Sequence, residues 1–456
     1  MTEAADDQAR QIYAEILGRA PEHDFDPTID RVASLLDLLG NPQRSFRAIH
    51  LTGTNGKTST ARMIEALLRE LGLRTGQFTS PHLHTVRERI VIDGEPISAE
   101  RFVSTWRDIE PYVAMVDAQL SDAGQSRLSF FEVLTALGFA AFADAPVQVA
   151  VVEVGMGGLW DSTNTVDGEI AVFSPIARDH ERWLGNTVEQ IASIKSGIIK
   201  SLEPAQVVVT ATQPRDAEAI LAQVAADHGA RVLAQGYDIE VANRTIAIGG
   251  QLLDLRGSGG LYTEVFLPLH GEHQADNALL ALVAVEQFLG GAALDGSVVE
   301  AGFAAVTSPG RLEVIRNSPT VLVDAAHNPA GMQALVDALD EAFAFSRLVG
   351  VIGVLADKDA EAMLSVLEPV LPEIVVTEVS SDRAMPAAEL ADLAREVFGD
   401  DRVHLQPSLP DAVALAADLA EQGDDERIGS GTGVIVAGSV ILAGQVRALF
   451  GAPGQV

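Results

Sequence analysis

The amino-acid sequence predicts an α/β protein of two domains, each built on a parallel sheet that is covered by helices. From residue 47 onward, short β-rich runs alternate with longer segments of helical periodicity. The run VQVAVVEV (Val147–Val154) is apolar on both faces, as expected of a central parallel strand. The chain has 456 residues, which exceeds what one hydrophobic core serves, and Ser-Pro-Gly within Thr307–Ile315 interrupts the pattern. We therefore place a domain boundary there.

The first series of elements begins with a strand at Arg47–Leu51, which ends in a glycine-containing turn. A helix follows over 58–71, because Ile64, Leu67, Leu68 and Leu71 recur at helical spacing, and Gly72 suits its C-terminal end. The later elements are predicted as strands at 170–176 and 206–212, a hairpin-like region at 238–268 and a helix from near residue 273. The second series follows the boundary, with strands expected in TVLVDAAHNP, RLVGVIGVLAD, EIVVTEV, RVHLQ and TGVIVAGSVILAG.

Composition and charge exclude several classes of protein. Hydrophobic residues make up 47% and charged residues 21%, which excludes a disordered or fibrous chain. The net charge of −33 opposes binding to nucleic acid or to an anionic membrane surface. The chain has no cysteine, so disulfides and thiolate chemistry are excluded. The acidic start MTEAADDQAR does not resemble a signal peptide, and no apolar run is long enough to span a bilayer. We expect a soluble, cytoplasmic protein.

The strongest local signal is GTNGKTS (Gly53–Ser59), between a predicted strand and a predicted helix. Glycines allow backbone N–H groups to surround a phosphate at a helix N-terminus, Lys57 would reach the β- and γ-phosphates, and Thr58 or Ser59 would ligate Mg²⁺. The loop is shorter than G-x-x-x-x-G-K-S/T, whose first glycine would fall at Leu51. The alternative is an ordinary glycine-rich turn, which the strand–loop–helix context disfavours.

Three further residues have chemistry that the pattern alone leaves open. Glu153 ends an apolar strand, where a buried carboxylate needs a partner such as a metal ion; otherwise it is an edge glutamate in water. GMGG (155–158) follows at the strand's carboxyl end, where α/β sheets bind ligands. His180 is a possible metal ligand or a structural histidine. Lys195 has no distinguishing feature by itself.

A fourth signal lies in the second domain, where VDAAHNP (Val323–Pro329) follows Arg311. Asp324 ends an apolar strand, and His327 follows in the loop before a helix that Pro329 suits. A strand-end Asp and a loop His together are typical of a ligand site. Local turn and capping chemistry is the alternative.

Taken in order, these pieces resemble the folylpolyglutamate synthase/dihydrofolate synthase family, a branch of the Mur-type ATP-dependent amide ligases. The resemblance runs from about residue 28 to residue 450. Its motifs are GTNGKTS, TSPHL, FFE, EVGMGG, DSTN, DHERWLG, KSGIIK, HGEHQADNA, PGRLE, DAAHNP and GSVILAG. Eleven co-linear matches exclude chance.

The resemblance implies a reaction and an architecture. ATP would phosphorylate a carboxylate of a pteroate or folate, and the amine of L-glutamate would attack the acyl phosphate. The acceptor would be dihydropteroate, giving dihydrofolate, or a reduced folate that gains a γ-linked glutamate. The fold implied is a P-loop ATPase domain with pterin-binding residues (1–306) and a smaller Rossmann-like glutamate ligase domain (307–456), with the active site in the cleft. The family suggests a monomer.

The resemblance also assigns roles to residues. The nucleotide-binding positions are Gly53, Thr54, Asn55, Gly56, Lys57, Thr58, Ser59, Asn277, Arg311 and Asp324. Two Mg²⁺ ions are implied, one held by Thr58 or Ser59 with the nucleotide and a second held by Ser80, Glu153 and His180. The acceptor-binding positions are Phe130, Phe131, Glu132, Trp160, Asp161 and Ser162. The positions with a catalytic role are Lys57, His180, Lys195 and His327, and Lys195 matches a lysine that is N-carboxylated in the family.

Three positions depart from the family pattern. Leu159 replaces the usual Arg after Gly-Gly, Ile194 replaces the usual Glu before the modified lysine, and Arg178 ends a segment (176–178) that is usually small and apolar. Leu159 and Ile194 motivate a second hypothesis, a related ligase with a different carboxylic-acid acceptor. A third hypothesis is a P-loop module that hydrolyses ATP without ligation, against which the complete second domain argues.

Overall fold

The computed structural model describes residues 2–20, 27–422 and 431–451. Its first unit has an eight-stranded sheet in the order β4-β3-β2-β5-β1-β6-β7-β8. The strands are β1 (Arg47–Thr52), β2 (Thr75–Phe78), β3 (Ile90–Ile92), β4 (Glu95–Pro96), β5 (Val149–Glu153), β6 (Gly168–Phe173), β7 (Val207–Thr210) and β8 (Arg231–Ala234). From β2 to β8 neighbouring strands are parallel, whereas β3 and β4 add an antiparallel edge that the sequence did not predict.

Helices cover both faces of this sheet, which is why β5 is buried along its whole length. They are α1 (Thr2–Leu17), α2 (Asp30–Leu38), α3 (Lys57–Glu70), α4 (Ala99–Asp122), α5 (Phe130–Asp144), α6 (Glu181–Leu184), α7 (Val188–Lys195), α8 (Arg215–His228), α9 (Glu272–Phe288) and α10 (Gly296–Ala304). The α3 and α9 helices pack on one face, and α2, α4 and α5 pack on the other. The predicted helix over 58–71 is confirmed as α3, with Gly72 at a φ of 75° just beyond its end.

A separate antiparallel sheet of three strands occupies the region predicted as hairpin-like. Its strands are β9 (Glu240–Ala247), β10 (Gly250–Arg256) and β11 (Leu261–Leu267). The inward side chains of β10 and β11 join the core below α9. This sheet therefore supports the helix that carries Asn277.

The second unit has a six-stranded sheet in the order β12-β13-β17-β14-β15-β16. Its strands are β12 (Glu313–Asn317), β13 (Thr320–Val323), β14 (Phe345–Ile352), β15 (Glu373–Val376), β16 (Val403–Leu405) and β17 (Gly431–Ala437). Its helices are α11 (Pro329–Ala342), α12 (Ala360–Leu367), α13 (Ala387–Phe398), α14 (Leu409–Glu421) and α15 (Val440–Leu449). All neighbouring strands are parallel except β12, which pairs antiparallel with β13.

The predicted fold class, parallel sheets covered by helices, is confirmed. The first unit's layers end with α10 and the second sheet begins at β12; the exact division at residue 306 stays a prediction. In the described part of the chain, no helix is both long and apolar enough to cross a lipid bilayer. The carboxyl ends of β1, β5 and β13 carry the loops that the sequence analysis singled out, as expected for ligand sites in parallel sheets.

Candidate active site

The loop Gly53–Gly56 joins β1 to α3 in a conformation that requires glycine. Gly53 has a φ of 148° and Gly56 a φ of 88°. A Cβ atom on Gly53 would lie 1.9 Å from Ser174 Oγ, and one on Gly56 would lie 2.4 Å from Asn277 Oδ1. The loop therefore packs tightly against the end of β6 and against Asn277 of α9, whose nucleotide contact stays a prediction.

Lys57 begins α3 and bends back over the loop. Its Nζ donates hydrogen bonds to the carbonyl oxygens of Gly53 (3.2 Å) and Thr54 (3.1 Å). Burial lowers the pKa of Lys57, while the nearby carboxylates of Glu153 and Asp179 oppose that shift. A lysine held at the loop by backbone carbonyls is positioned to exchange them for phosphate oxygens.

Glu153, at the end of β5, is the buried carboxylate beside this loop. It is 1% exposed, and Thr58 Oγ1 donates to its two oxygens at 2.9 and 3.1 Å. Burial raises the pKa of Glu153 to about 7, against the lowering effect of Lys57 and of the Thr58 hydrogen bond. A backbone hydrogen bond from Ser80 also reaches this carboxylate. The oxygen atoms of Glu153 and Thr58 are ligands of the kind that a hard cation such as Mg²⁺ prefers.

Ser59 and His180, two other predicted metal ligands, contact different partners. Ser59 Oγ lies 3.1 Å from Ser308 Oγ, so Thr58 is the hydroxyl of this pair that faces Glu153. His180 has its Nε2 3.9 Å from Asp179 Oδ2. Among the described residues, no group of three or more His, Asp or Glu side chains is arranged to hold a metal ion. A shared site for Ser80, Glu153 and His180 stays a prediction.

Lys195, at the end of α7, reaches the same loop. Its Nζ donates to the carbonyl oxygen of Gly53 at 2.6 Å, and the residue is 4% exposed. Burial, with Lys57 adding to it, lowers the pKa of Lys195 to about 7. A substantial fraction of this amine is therefore neutral at neutral pH, which is the state that reacts with CO₂.

Asp179 connects the two units, and its role was missed in the sequence. Lys358 Nζ donates to Asp179 Oδ1 at 2.7 Å, Asn328 Nδ2 donates to Oδ2 at 3.1 Å, and His327 Nε2 lies 3.7 Å from Oδ2. Burial lowers the pKa of His180 to about 3 and that of His327 to about 4, so both imidazoles are neutral near pH 7. Lys358 is thus the cation that balances Asp179.

An amide pair ties the phosphate loop to the second unit. Asn55 Nδ2 donates to Asn328 Oδ1 at 3.1 Å, and Asn328 Nδ2 donates to Asn55 Oδ1 at 3.0 Å. Asn328 also caps α11, because its Oδ1 accepts from Gly331 N at 2.8 Å. The position of α11 is therefore linked directly to the conformation of the phosphate loop.

Asp324 and Arg311 lie on the same side of the second unit. Asp324 accepts hydrogen bonds from the backbone N–H groups of Leu312 (2.8 Å) and Ala326 (2.7 Å), so it fastens the two loops that carry Arg311 and His327. Across the described ranges, the Arg311 guanidinium has no hydrogen bond or ion pair, although it lies close enough to affect the pKa values of Lys57 and Glu153. Arg311 is therefore available for a phosphate.

A cleft of about 1080 Å³ opens beside these groups, with walls from both units. Phe131, Trp160 and Ser162 line it, and their binding of an acceptor stays a prediction. Phe130 lies elsewhere: it is buried against Tyr13, with ring centroids 6.1 Å apart, and under the guanidinium of Arg89 at 5.2 Å. The geometry does not support a direct contact between Phe130 and an acceptor.

Two carboxylates in the cleft wall are already held by the protein. Glu132 accepts from Arg31 Nε (3.0 Å) and Nη2 (2.8 Å) and from Ser129 N (2.7 Å). Asp161 accepts from Met156 N at 2.9 Å and Thr163 N at 2.9 Å, and burial raises its pKa to about 6. Both residues line the cleft, and both also order the loops around it.

Several contributors had weak sequence signals. Asp179 lies inside the motif that drew attention to His180, and Lys358 follows the end of the predicted strand RLVGVIGVLAD. The strand-end rule that selected Asp324 would also have selected Lys358. Arg31, by contrast, sits in an ordinary amphipathic helix, and its pairing with Glu132 across 101 residues has no local signature.

Comparisons with known proteins agree with this geometry. Residues 51–285 match the Mur ligase middle domain, and residues 310–440 match the Mur ligase glutamate ligase domain. The dihydrofolate synthase/folylpolyglutamate synthase of Mycobacterium tuberculosis is 51% identical over 96% of this chain and 93% of its own length. The folylpolyglutamate synthase of Lacticaseibacillus casei is 35% identical over 91% of this chain and 93% of its own.

Solved structures show the same likeness. The Mycobacterium tuberculosis folylpolyglutamate synthase complexed with ADP has a TM-score of 0.95 and 49% identity, covering 99% of this chain and 100% of its own. Escherichia coli FolC in complex with DHPP and ADP has a TM-score of 0.81 and 26% identity, covering 97% of each chain.

Proposed function

Because the chain belongs to the folylpolyglutamate synthase/dihydrofolate synthase family of Mur-type ligases, we propose that it joins L-glutamate to dihydropteroate and to reduced folates at the cost of ATP. One observation carries the assignment of the site: Lys57 and Lys195 both donate to the Gly53 carbonyl oxygen, and Thr58 donates to Glu153, beside a cleft whose walls come from both units. Such an arrangement can hold a nucleotide and an acceptor side by side.

In the proposed reaction the acceptor carboxylate attacks the γ-phosphorus of ATP, and the bond from phosphorus to the β-phosphate oxygen breaks to release ADP. The neutral amine of glutamate then attacks the carbonyl carbon of the acyl phosphate. Phosphate leaves with the carboxylate oxygen that was phosphorylated, and the nitrogen loses a proton. The residues of this chain contribute mainly positioning and charge, as phosphoryl transfer requires.

Lys57 and Arg311 are the cations we assign to the phosphates, since Lys57 lies on the loop and Arg311 has no fixed partner in the described part of the chain. Mg²⁺, when bound, would further neutralise phosphate charge, and Glu153 and Thr58 are its best-placed ligands. We propose carboxylation of Lys195 because its amine is buried and has a lowered pKa. A carbamate there would be an anion beside Lys57.

Leu159 gives no support to the second hypothesis, a different acceptor. Leu159 is 56% exposed and does not line the cleft, and its backbone N–H donates to Ile194 O at 2.9 Å. The third hypothesis, a module that hydrolyses ATP without ligation, conflicts with the family to which the chain belongs.

The test measures phosphate release with ATP, Mg²⁺ and glutamate, with dihydropteroate, with tetrahydrofolate or with no acceptor. We expect release only with an acceptor, and transfer of one ¹⁸O atom from labelled acceptor carboxylate to phosphate. Release without acceptor, or unlabelled phosphate, would refute the ligase mechanism. Two expectations from the sequence, a monomer and a cytoplasmic location, stay predictions. Light scattering tests the first, because a monomer should have a mass of 48.1 kDa in solution.

A further inference from the structure

The acceptors of the proposed reaction differ in the number of carboxylates they carry, and the following inference rests on that proposed function. Dihydropteroate has one carboxylate, which is the reacting group. Each γ-linked glutamyl residue of a folate adds an α-carboxylate between the pterin and the reacting end. These charges must enter a protein with a net charge of −33, so local cations have to balance them.

The cleft contains four Lys and Arg side chains among the residues that the structure describes: Arg178, Arg182, Lys358 and Arg383. Lys358 already forms a buried ion pair, because its Nζ lies 2.7 Å from Asp179 Oδ1. The other three are more open. They are the cations available to an anionic ligand in this cleft.

The three arginines retain free donor capacity. Arg178 pairs with Glu181 at 2.9 Å, and its side chain is 62% exposed. Arg383 pairs with Asp357 at 2.7 Å and is 39% exposed. Within the described ranges, Arg182 has no hydrogen bond or ion pair, and its guanidinium lies 5.0 Å from the ring centroid of Trp183. A guanidinium has five N–H donors, so one carboxylate partner does not saturate it.

Their location separates them from the nucleotide. Arg178 and Arg182 come from the first unit and Arg383 from the second, and all three line the cleft. Phe131 and Trp160 line the same cleft, whereas the phosphate loop (53–59) does not. These cations therefore face the acceptor.

We infer that Arg178, Arg182 and Arg383 form an anion subsite for the α-carboxylates of a γ-glutamyl tail on the folate acceptor. Charge-assisted hydrogen bonds from guanidinium groups on both walls would hold the tail between the pterin end and the reacting end. Glu181 holds Arg178 in place and Asp357 holds Arg383, and each guanidinium keeps N–H donors that its partner does not occupy. The subsite would make longer acceptors bind better without changing ATP binding.

The test compares KM for dihydropteroate and for tetrahydrofolate with one, two and three glutamyl residues, using Arg182→Gln, Arg383→Gln and the double variant. We expect the double variant to change KM for dihydropteroate by less than twofold. An exposed ion pair is worth up to about fivefold in binding, so KM should rise by about that factor for the diglutamyl acceptor and by more for the triglutamyl acceptor. KM for ATP should stay constant, and raising the salt concentration should reduce the wild-type preference for long tails.

The matched control is Arg395→Gln, because Arg395 also pairs with an acid three residues away, Asp392 at 2.7 Å, and does not line the cleft. It should change none of the KM values, and Arg182→Lys should retain part of the preference. Equal KM shifts for all acceptors, or none, would overturn the subsite while leaving the ligase function intact. Failure of the wild type to ligate glutamate to any pteroate or folate would overturn the proposed function, and the subsite with it.

Discussion

Binding of Mg²⁺ beside the phosphate loop should compete with a proton on Glu153. Burial raises the pKa of this carboxyl to about 7, although Lys57 and Thr58 favour its ionised form. A metal ion requires the ionised carboxylate, so below pH 7 it must first displace a proton. The apparent dissociation constant for Mg²⁺ then increases by a factor of one plus ten to the power of pKa minus pH.

That factor is about 11 at pH 6 and about 1.1 at pH 8 for a group with this pKa, so the dissociation constant should fall about tenfold over these two pH units. The stability of the metal-free protein should depend on pH in the opposite direction from Mg²⁺ affinity. The pKa of Glu153 in the folded protein lies above the usual glutamate value of 4.5, so the native state binds more protons and the contribution of Glu153 to stability falls as the pH rises from about 4.5 to about 7. The full loss is about 3 kcal/mol at 1.36 kcal/mol for each pKa unit.

Isothermal titration calorimetry of Mg²⁺ into the ligand-free protein at pH 6, 7 and 8 measures the first effect. Glu153→Gln is the control, because it keeps the shape and an oxygen that accepts from Thr58 but has no proton to displace. We expect it to bind Mg²⁺ weakly, with no pH dependence from this site, and to raise the thermal midpoint of the metal-free protein at pH 8. A wild-type constant that changes less than twofold between pH 6 and 8, or equal pH dependence in both proteins, would refute the reasoning.

Three further predictions concern single side chains. Lys57→Ala should lower kcat by at least about 100-fold with an unchanged circular dichroism spectrum, because within the described ranges the Lys57 ammonium hydrogen-bonds only to loop carbonyls; a loss below tenfold would contradict its role. Lys195→Arg should lower kcat, and added bicarbonate should raise the activity of CO₂-depleted wild type but not of the variant, since only a lysine with a lowered pKa forms a carbamate; no bicarbonate effect would oppose carboxylation. Leu159→Arg should change KM for acceptor and ATP by less than twofold, because this exposed side chain lies outside the cleft wall, and a larger acceptor effect would revive the hypothesis of a different acceptor.

Sequence patterns predicted the parts of the site that are built from contiguous residues. The phosphate loop was identified because its glycines, lysine and hydroxyls lie within seven positions between a strand and a helix. Glu153 was identified because a carboxylate interrupts an otherwise apolar strand, and the structure buries it to 1% exposure. In both cases the local sequence alone specifies the backbone conformation and the burial that create the chemistry.

The sequence could not predict which of two adjacent residues faces the site. Thr58 and Ser59 differ by about 100° around α3, and only the packing of the helix directs Thr58 to Glu153 and Ser59 to Ser308. The same rotation separates Phe130, which lies in the core, from Phe131, which lines the cleft. Helical periodicity identifies a face but does not fix which tertiary partner that face meets.

Contacts between the two units were also beyond the sequence, because they depend on how two separate sheets are placed. The Asn55–Asn328 amide pair joins residues 273 positions apart, and the Asp179–Lys358 ion pair joins residues 179 positions apart. Neither pair has a local pattern, yet both contribute groups at the cleft. Asn55 belongs to the phosphate loop, so a nucleotide that moves this loop must either carry Asn328 and α11 with it or break both amide hydrogen bonds. The phosphate loop and the second unit are therefore mechanically coupled through side chains whose pairing becomes visible only after both domains have folded.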